Sequence, residues 1–337
     1  MDCVSALPVD DIPLPIPPNP ARFIDQYRLF MRQQGKSYTT EKTYVYWALY
    51  YIRFCNKNHP KTRGTEDVTA FLTHLVTQRY VSVNTQKTAL NALACLYNQF
   101  LKQPLGELSF HYAKRPPRIP TVFSHQEAKR VIEVVHPSVQ LIAQLFYGSG
   151  LRLSESLRLR IKDVDFAMSY IVVRDGKGNK DRTTLLPKSL VPALRLQIDV
   201  VRKRLEQDMA DGVNPVYMPY ALARKYPKYA REIGWQFMFP SSSLSVDPRA
   251  KLERRHHIHR CTVQKHVHDA IRAAAIYKQA SCHTFRHSFA TRLLQKGFDL
   301  RKIQQLMGHT DIKTTEIYLH VLESLGDWVV SPMDEDE

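Results

Sequence analysis

The chain has few cysteines, no long apolar run and a deficit of acidic residues, and each shortage excludes a class of protein. Its five cysteines, at positions 3, 55, 95, 261 and 282, are odd in number and widely spaced. This pattern is typical of free thiols in a reducing cytoplasm, so we expect packing, not disulfides, to hold the interior. The N-terminus lacks the basic and apolar regions of a signal peptide, and no stretch approaches the roughly 18 apolar residues of a membrane span.

Acidic residues are outnumbered by basic ones, 32 to 48, which leaves a formal charge of +16 at pH 7. Such an excess favours a polyanionic partner, because each phosphate that a protein neutralises releases condensed counterions. A basic protein without such a partner is the simpler alternative. The length of 337 residues and the hydrophobic share of 44% are sufficient for two domains with sizeable cores.

Composition and periodicity divide the chain into two domains with irregular ends. The first domain has apolar residues at helical spacing, as in Val68, Phe71, Leu72 and Leu75, and predicts a bundle of about four helices. Prolines and basic residues then predict a stiff linker. The predicted boundaries are 1–20 for a Pro-rich disordered tail, 21–110 for the helical domain, 111–121 for the basic linker, 122–325 for the second domain and 326–337 for an acidic tail.

The second domain has a mixed pattern in which helices dominate. It opens with a capping box, Ser124-x-x-Glu127, before an apolar run. Two runs typical of strands, Tyr170–Arg174 and Thr183–Leu186, flank the turn-rich segment Gly176–Lys180, which predicts a hairpin with lysines at its tip. Farther on, Asp299 is placed to cap a short helix that ends at Gly308. The predicted fold class is therefore mainly α with a small antiparallel β-sheet.

Several polar residues near the C-terminus suit the chemistry of phosphoryl transfer, in which fixed cations stabilise charge on the phosphate oxygens. His283 and Arg286 are three residues apart on one helix, His309 follows a glycine at a helix end, and Tyr318 comes nine residues later. Upstream, Arg152 lies where a glycine-bearing turn passes into a helix. Each of these residues alone is more often a solvated or core side chain, so their order and spacing carry the argument.

The run from His283 to Val321, HTFRHSFATRLLQKGFDLRKIQQLMGHTDIKTTEIYLHV, resembles the tyrosine recombinase signature of the phage-integrase superfamily. The resemblance extends over roughly residues 22–325. It implies a helical core-binding (SAM-like) DNA-binding domain and an α+β catalytic domain that form a C-shaped clamp on DNA, a homo-tetramer on DNA, and no cofactor or metal. The family pattern of Arg, hairpin Lys, His-x-x-Arg, Gly-His and Tyr is matched by Arg152, Lys177, His283, Arg286, His309 and Tyr318.

The resemblance also implies a role for each of these residues. Tyr318 would attack a DNA phosphorus and form a 3′-phosphotyrosyl link, while Arg152 and Arg286 clamp the phosphate. His309 would donate a hydrogen bond to it, and His283 would accept the tyrosine proton or orient the phosphate. Lys177 would be the general acid, with Lys180 as its rival, and Glu155 would support one of the cations. Basic and hydroxyl residues of the first domain are candidates for phosphate contacts: Lys36, Thr39, Thr40, Lys42, Asn84, Thr85 and Lys87.

Two further stretches, MPYALARKYP at 218–227 and VDPRAKLERRHH at 246–257, look like the added segment of integron integrases. We place this segment at about 212–257. In integron integrases it helps to hold bases flipped out of a folded single-stranded site, and flat rings can stack on such bases. The candidates for DNA contacts in the segment are Trp235, Pro248, Arg254, Arg255, His256 and His257.

The resemblance to integron integrases therefore predicts a bacterial, cytoplasmic, nucleoid-associated enzyme that integrates and excises gene cassettes at folded single-stranded and duplex sites. A Xer-type or phage tyrosine recombinase acting on duplex DNA is the first alternative. A DNA-binding protein without activity and a metal-dependent nuclease are the others. The cluster of histidines between residues 256 and 268, with Cys261, also permits zinc binding, although its spacing matches no familiar zinc motif.

Overall fold

The computed structural model describes residues 13–110, 112, 120–174 and 181–325, and these form two compact units. One unit contains the described residues up to 112 together with Pro248–Ala250. The other contains the remaining described residues from 120 onward. The predicted tails beyond these limits, most of the predicted linker and the tip of the predicted hairpin, including Lys177 and Lys180, lie outside the described residues.

The first unit is a helical bundle, as its periodicity predicts. Ser37 and Ser82 begin two of its helices, because each hydroxyl accepts a hydrogen bond from the backbone N–H three residues later. The last helix continues into a π-helical segment, Cys95–Leu101. The helices are α1 (Phe23–Gln33), α2 (Tyr38–Phe54), α3 (Thr65–Thr77) and α4 (Val83–Ala94).

Aromatic side chains fill the core of the first unit. Tyr27, Tyr51, Phe71 and Tyr97 are fully buried. The hydroxyls of Tyr51 and Tyr97 are 2.9 Å apart, and Tyr97 also donates to the carbonyl of Pro60 at 3.1 Å. The two tyrosines therefore satisfy their polar atoms inside an apolar core.

The second unit contains nine helices among its described residues and two small antiparallel sheets. The predicted capping box is present: the Ser124 hydroxyl accepts from the N–H of Glu127, and the Glu127 carboxylate accepts from the N–H of Ser124. The helices are α5 (His125–Val134), α6 (Pro137–Ser149), α7 (Leu153–Arg158), α8 (Val191–Ala210), α9 (Tyr220–Lys225), α10 (Arg260–Ala273), α11 (Cys282–Gln295), α12 (Leu300–Met307) and α13 (Lys313–Leu325).

The larger sheet has the order β1-β2-β3, with β1 at Val164–Asp165, β2 at Tyr170–Val173 and β3 at Arg182–Leu185. The antiparallel pairing of β2 with β3 confirms the predicted hairpin. The smaller sheet pairs β4 (Ser245–Val246) with β5 (Glu253–Arg254).

Packing of α6 against α11 positions the polar residues at the ends of both helices. The ring of Phe285 on α11 contacts those of Phe123 and Phe146, and all three are buried. Gly150 ends α6 in the left-handed region, with a φ of 64°, and Arg152 then caps α7. Asp299 caps α12 as predicted, and Gly308 ends that helix with a φ of 61°. No helix in the described part of the chain is long and apolar enough to cross a membrane.

Gly150 is the glycine at which a side chain is expected to cost most. A Cβ there would lie 2.4 Å from a ring carbon of Phe289, whereas a Cβ at Gly212 (φ 72°) would meet no heavy atom within 4 Å. The left-handed backbone costs an L-residue about 1–2 kcal/mol at either position, and overpacking adds about 1–3 kcal/mol at the first. Gly150→Ala should therefore lower the free energy of unfolding well below that of Gly212→Ala. Thermal and urea unfolding measure this, and equal losses would contradict the packing described.

Candidate active site

A single carboxylate, that of Glu155 on α7, is surrounded by three guanidinium groups of the second unit. Arg152 Nη1 donates to Glu155 Oε1 at 2.7 Å. Arg182, the first residue of β3, donates to both carboxylate oxygens, at 2.9 and 2.7 Å. Arg286 Nη1 lies 3.8 Å from Glu155 Oε2. Glu155 balances the charge of only one of these guanidinium groups, so the pocket attracts a further anion.

Burial and charge act in opposite directions on Glu155. Burial alone would raise the pKa of its carboxyl, but hydrogen bonds and charge from Arg182, with the charge of Arg152, lower that pKa to about 2. Burial and the neighbouring charge of Arg152 lower the pKa of Arg286 to about 9. Glu155 and Arg286 are therefore both charged at neutral pH.

Arg286 is anchored by backbone carbonyls at the ends of two helices. Its guanidinium donates to the carbonyls of Gly150, at the end of α6, and Met307, at the end of α12. Its side chain is 5% exposed, whereas that of Arg152 is 19% exposed. An incoming anion therefore has the easier approach to Arg152.

His309 follows Gly308 and contacts both Arg286 and α13. Arg286 Nη2 lies 3.3 Å from His309 Nε2, and the other ring nitrogen, Nδ1, lies 2.9 Å from the hydroxyl of Thr315. An arginine can only donate, so Nε2 accepts and the proton of the neutral ring is on Nδ1. Burial, and next the charge of Arg286, lower the pKa of His309 to about 3. Burial and the same arginine also lower the pKa of His283.

Tyr318 lies on α13 within this cluster and is 2% exposed. Its hydroxyl is 2.9 Å from Nδ1 of His287, and its ring stacks on that of His309 with centroids 6.3 Å apart. Burial raises the pKa of Tyr318, and the charges of Arg286 and Arg152 reduce that increase. The phenol is therefore protonated at neutral pH and lies near Arg152 and Arg286.

The structure brings together most of the residues predicted for catalysis, since Arg152, Glu155, His283, Arg286, His309 and Tyr318 all lie in one cluster of the second unit. Sequence reasoning missed three members of the cluster: Arg182, His287 and Thr315. Two of them left a signal: Arg182 begins the strand after the lysine-bearing hairpin tip, and His287 lies one helical turn after His283. Nothing in the sequence singled out Thr315.

The candidate DNA contacts of the first unit lie just before or within the first turns of α2 and α4. Lys36, Lys42, Asn84 and Lys87 are exposed there. The N-terminus of a helix carries a partial positive charge, which favours phosphate. The position of Thr39, Thr40 and Thr85 in the same turns is consistent with such a contact.

In the added segment, Trp235 belongs to a stack of aromatic and cationic side chains. The rings of Tyr229 and Trp235 stack with centroids 5.9 Å apart, and Tyr226 stacks on Tyr229 at 4.9 Å. The amine of Lys162 lies 4.2 Å from the centre of the indole. Trp235 itself is half-buried, so it serves both the small core of this segment and its surface.

The other candidates of the segment differ in their surroundings. The rings of His256 and His257 are 4.1 Å apart, and both contact the ring of Phe237. The guanidinium of Arg160 lies over the rings of both Phe237 and Trp235. By contrast, Arg255 forms a double ion pair with Asp208 on α8, with both distances 2.6 Å. The remaining candidates are Arg254, whose guanidinium lies 3.7 Å from the carboxylate of Asp247, and Pro248, which follows β4.

The pair between Arg255 and Asp208 attaches the chain that follows β5 to α8, so this guanidinium has a structural role in addition to any contact with DNA. In the part of the chain that the structure describes, no group of three or more His, Cys, Asp and Glu side chains could hold a metal ion.

Comparison with known families agrees with this geometry. The phage integrase family matches residues 121–324, and the N-terminal SAM-like domain of phage integrases matches residues 23–107. The chain therefore belongs to the phage integrase family, and it is a tyrosine site-specific recombinase that cleaves and rejoins DNA.

Named relatives cover most of the chain. An integrase/recombinase of Escherichia coli is 43% identical over 322 residues, 95% of this chain and 96% of the relative. Tyrosine recombinase XerD of Agrobacterium fabrum is 30% identical over 77% of this chain and 76% of its own. The solved structure of XerH bound to its difH substrate has a TM-score of 0.56 at 20% identity, covering 91% of this chain and 84% of that one.

Arg182 is expected to hold the cluster in its working geometry. Without Arg182, the Glu155 carboxylate loses two hydrogen bonds and attracts the guanidinium groups of Arg152 and Arg286 more strongly, which displaces them. A displacement of about 1 Å in such groups can cost about 100-fold in rate, so Arg182→Ala should slow formation of the covalent adduct by about that factor while DNA affinity changes little. Arg202→Ala, which removes an exposed arginine on α8 paired with Asp199 at 2.6 Å, is the control. Equal single-turnover rates for the two variants would contradict this role.

Proposed function

We propose that the chain is an integron integrase, which integrates and excises gene cassettes through a covalent link between Tyr318 and a 3′-phosphate of DNA. One observation carries the catalytic part of this proposal: a buried tyrosine hydroxyl belongs to the same cluster as three guanidinium groups that share one carboxylate. The added segment, with its half-buried tryptophan and paired histidines, carries the part that concerns cassettes.

In the proposed reaction, Arg152 and Arg286 bind the non-bridging oxygens of the scissile phosphate. The hydroxyl of Tyr318 attacks phosphorus and gives up its proton to a neighbouring histidine, a new O–P bond forms, and the P–O5′ bond breaks. Lys177 supplies the proton to the leaving 5′-oxygen on the family pattern, with Lys180 as the alternative. A 5′-hydroxyl of another strand then attacks the phosphotyrosine and releases Tyr318. The energy of the phosphodiester is kept in the covalent link, so the cycle needs no ATP.

The contacts of His309 suggest how the pocket adapts to its substrate. While Arg286 donates to His309 Nε2, that nitrogen cannot donate to a phosphate. When a phosphate binds the guanidinium of Arg286, His309 Nε2 no longer has to accept from that arginine. The ring of His309 can then change to the tautomer that carries its proton on Nε2. The hydroxyl of Thr315 permits this change because it can donate to Nδ1 as well as accept from it. His309 would then donate the additional hydrogen bond that the family pattern assigns to it.

The aromatic surface of the added segment supports recognition of extrahelical bases. Trp235, Tyr229 and Tyr226 form a stack whose two tyrosines are exposed, with cationic groups beside it. An unpaired base can extend such a stack, which stabilises a base on an aromatic ring by about 1–3 kcal/mol. A perfectly paired duplex offers no free base to this surface, so the stack favours folded single strands.

A Xer-type recombinase acting on duplex DNA is the second candidate, and it shares the whole catalytic cluster. The similarity to tyrosine recombinase XerD, and the solved complex of XerH with difH, favour it as much as they favour an integron enzyme. In either case two cleavages at each of two sites imply four protomers around the DNA, and we propose a homo-tetramer on that basis. The sequence also leads us to expect that the apolar tail from Leu319 to Val330 docks on a neighbouring protomer or on its own, and residues 326–330 of this tail lie outside the described residues.

Tyr318→Phe removes the attacking hydroxyl and should abolish the covalent adduct on a nicked suicide substrate, whose short 5′-hydroxyl fragment diffuses away after cleavage. The shifted protein–DNA band on a denaturing gel is the measurement. Tyr147→Phe is the matched control, because it also removes a tyrosine hydroxyl bonded to a histidine, that of His125 at 2.9 Å. An adduct that survives Tyr318→Phe would remove the proposed nucleophile.

Substrate form should separate the two recombinase candidates. An integron enzyme should bind a folded single-stranded site with extrahelical bases, and Trp235→Ala should weaken that binding by about tenfold or more while cleavage of duplex sites is unchanged. Tyr277→Ala, which removes an exposed aromatic ring elsewhere in the same unit, is the control. Titration by gel shift measures both affinities. A preference for duplex DNA, unchanged by Trp235→Ala, would favour the Xer-type enzyme.

A further inference from the structure

The arginines of the cluster can bind the phosphate, but they cannot accept the proton of Tyr318. The hydrogen bond between Tyr318 and His287 concerns this proton. A phenol has a pKa of about 10, so its proton must leave as the oxygen attacks phosphorus. The family pattern directed attention to His283 for this proton. In the described residues, however, the side chain bonded to the Tyr318 hydroxyl is that of His287, with 2.9 Å between Oη and Nδ1.

The surroundings of His287 keep its imidazole neutral and able to accept. Burial, followed by His283 and by the charge of Arg286, lowers the pKa of His287 to about 4. The groups that face it are His283 and Arg286 on its own helix, His309 before α13, and Tyr318 on α13. Because a neutral histidine has one protonated nitrogen, an Nδ1 that accepts from the phenol implies that Nε2 carries the proton.

Substrate binding should make this histidine more basic. In the absence of DNA, the unbalanced charge of the arginines opposes a second positive charge on the ring. A bound phosphate supplies negative charge to the same pocket, and more develops on its oxygens in the transition state. The charge that weakens His287 as a base is therefore neutralised when the scissile phosphate is in place.

We propose that His287 is the catalytic base that accepts the proton of Tyr318, an inference that rests on the proposed role of Tyr318 as nucleophile. As the O–P bond forms, the Oη–H bond breaks and its proton moves to Nδ1 of His287. At the same time the P–O5′ bond breaks, and the leaving oxygen takes a proton from the general acid. In the religation step the O–P bond of phosphotyrosine breaks and His287 returns its proton to Oη.

Two substitutions separate a base from a residue that only positions the tyrosine. His287→Asn keeps a hydrogen-bond acceptor near the position of Nδ1 but cannot take a proton at neutral pH, whereas His287→Ala removes both properties. A general base typically contributes about 100-fold or more, so both variants should form the adduct at least about 100-fold more slowly. If His287 only positions Tyr318, the Asn variant should retain most of the activity.

The dependence of the rate on pH gives a second readout. The single-turnover rate of adduct formation by the full-length chain is measured between pH 6 and 8, below the pKa of Arg286, on the nicked suicide substrate. The rate of the wild type should change little with pH, because the pKa of His287 starts from about 4 and the ring stays mostly neutral in this range even when a bound phosphate raises that pKa. The variants should rise with pH, because hydroxide must replace the missing base. A variant that is merely misfolded loses DNA binding as well, and gel shift under the same conditions detects this loss.

A matched control is present in the same unit. His125 Nδ1 lies 2.9 Å from the hydroxyl of Tyr147, which is the same type of bond at the same length. His125→Asn should therefore leave both the rate and its pH profile unchanged. A substrate with sulfur in place of the bridging 5′-oxygen adds a further control, because a thiolate leaves without protonation by an acid. This substrate should restore adduct formation by a variant that lacks the general acid, but not by His287→Asn.

The outcomes distinguish this inference from the function on which it rests. If His287→Asn forms adduct at the wild-type rate with a flat pH profile, His287 is not the base, although Tyr318 remains the nucleophile. If the variant is faster than the wild type, the hydrogen bond restrains the tyrosine, and the inference is equally wrong. Formation of adduct by Tyr318→Phe would instead overturn the proposed nucleophile itself.

Discussion

The ion pairs between Glu155 and three arginines are the interaction on which the rest of the catalytic cluster depends. Removal of an isolated cation from water is costly, and three guanidinium groups close together also repel each other. One carboxylate hydrogen-bonded to Arg152 and Arg182, and close to Arg286, offsets enough of this repulsion for the side chains to stay together. It leaves enough positive charge for a phosphate to be bound. The cluster is therefore preorganised for an incoming anion.

The same positive charge sets the protonation of the neighbouring groups. Histidines that would be partly protonated near neutral pH in water are held neutral by burial and by the arginines, most strongly at His309 and His287. The phenol of Tyr318 keeps its proton because burial outweighs the attraction of the cations. A phosphate between the arginines offsets the charge that lowers the pKa of these histidines, so a bound substrate makes them better proton acceptors. Reactivity is thereby linked to the presence of DNA without a separate switch.

Local structure was predictable wherever the deciding interaction spans a few residues. The capping box of Ser124 and Glu127, the cap formed by Asp299 and the glycine that ends α12 all follow from contacts within about one helical turn. The hairpin of β2 and β3 was predictable from two β-branched runs around a turn. His283 and Arg286 were identifiable as a pair because three residues on a helix place two side chains on one face.

The contacts that complete the cluster were not predictable in this way. Arg182 meets a carboxylate 27 residues away, and His287 meets a hydroxyl 31 residues away. Nothing in the neighbouring sequence of either residue identifies its partner. Arg255 illustrates the converse, since a basic run indicated DNA binding, yet packing against α8 places its guanidinium on Asp208, 47 residues earlier. Composition indicates which charges are present, but not which charges neutralise one another.

The sequence by itself determined the class of protein, the positions where helices begin and end, and the chemical types available for phosphoryl transfer, because these depend on local order and composition. Tertiary structure alone decided which histidine bonds to the tyrosine, which arginine shares Glu155, and which rings remain accessible in the added segment. The reason is geometric. A hydrogen bond needs two atoms within about 3 Å, and for residues distant in the chain that separation is set by the packing of α6, α11 and α13 with the β-hairpin.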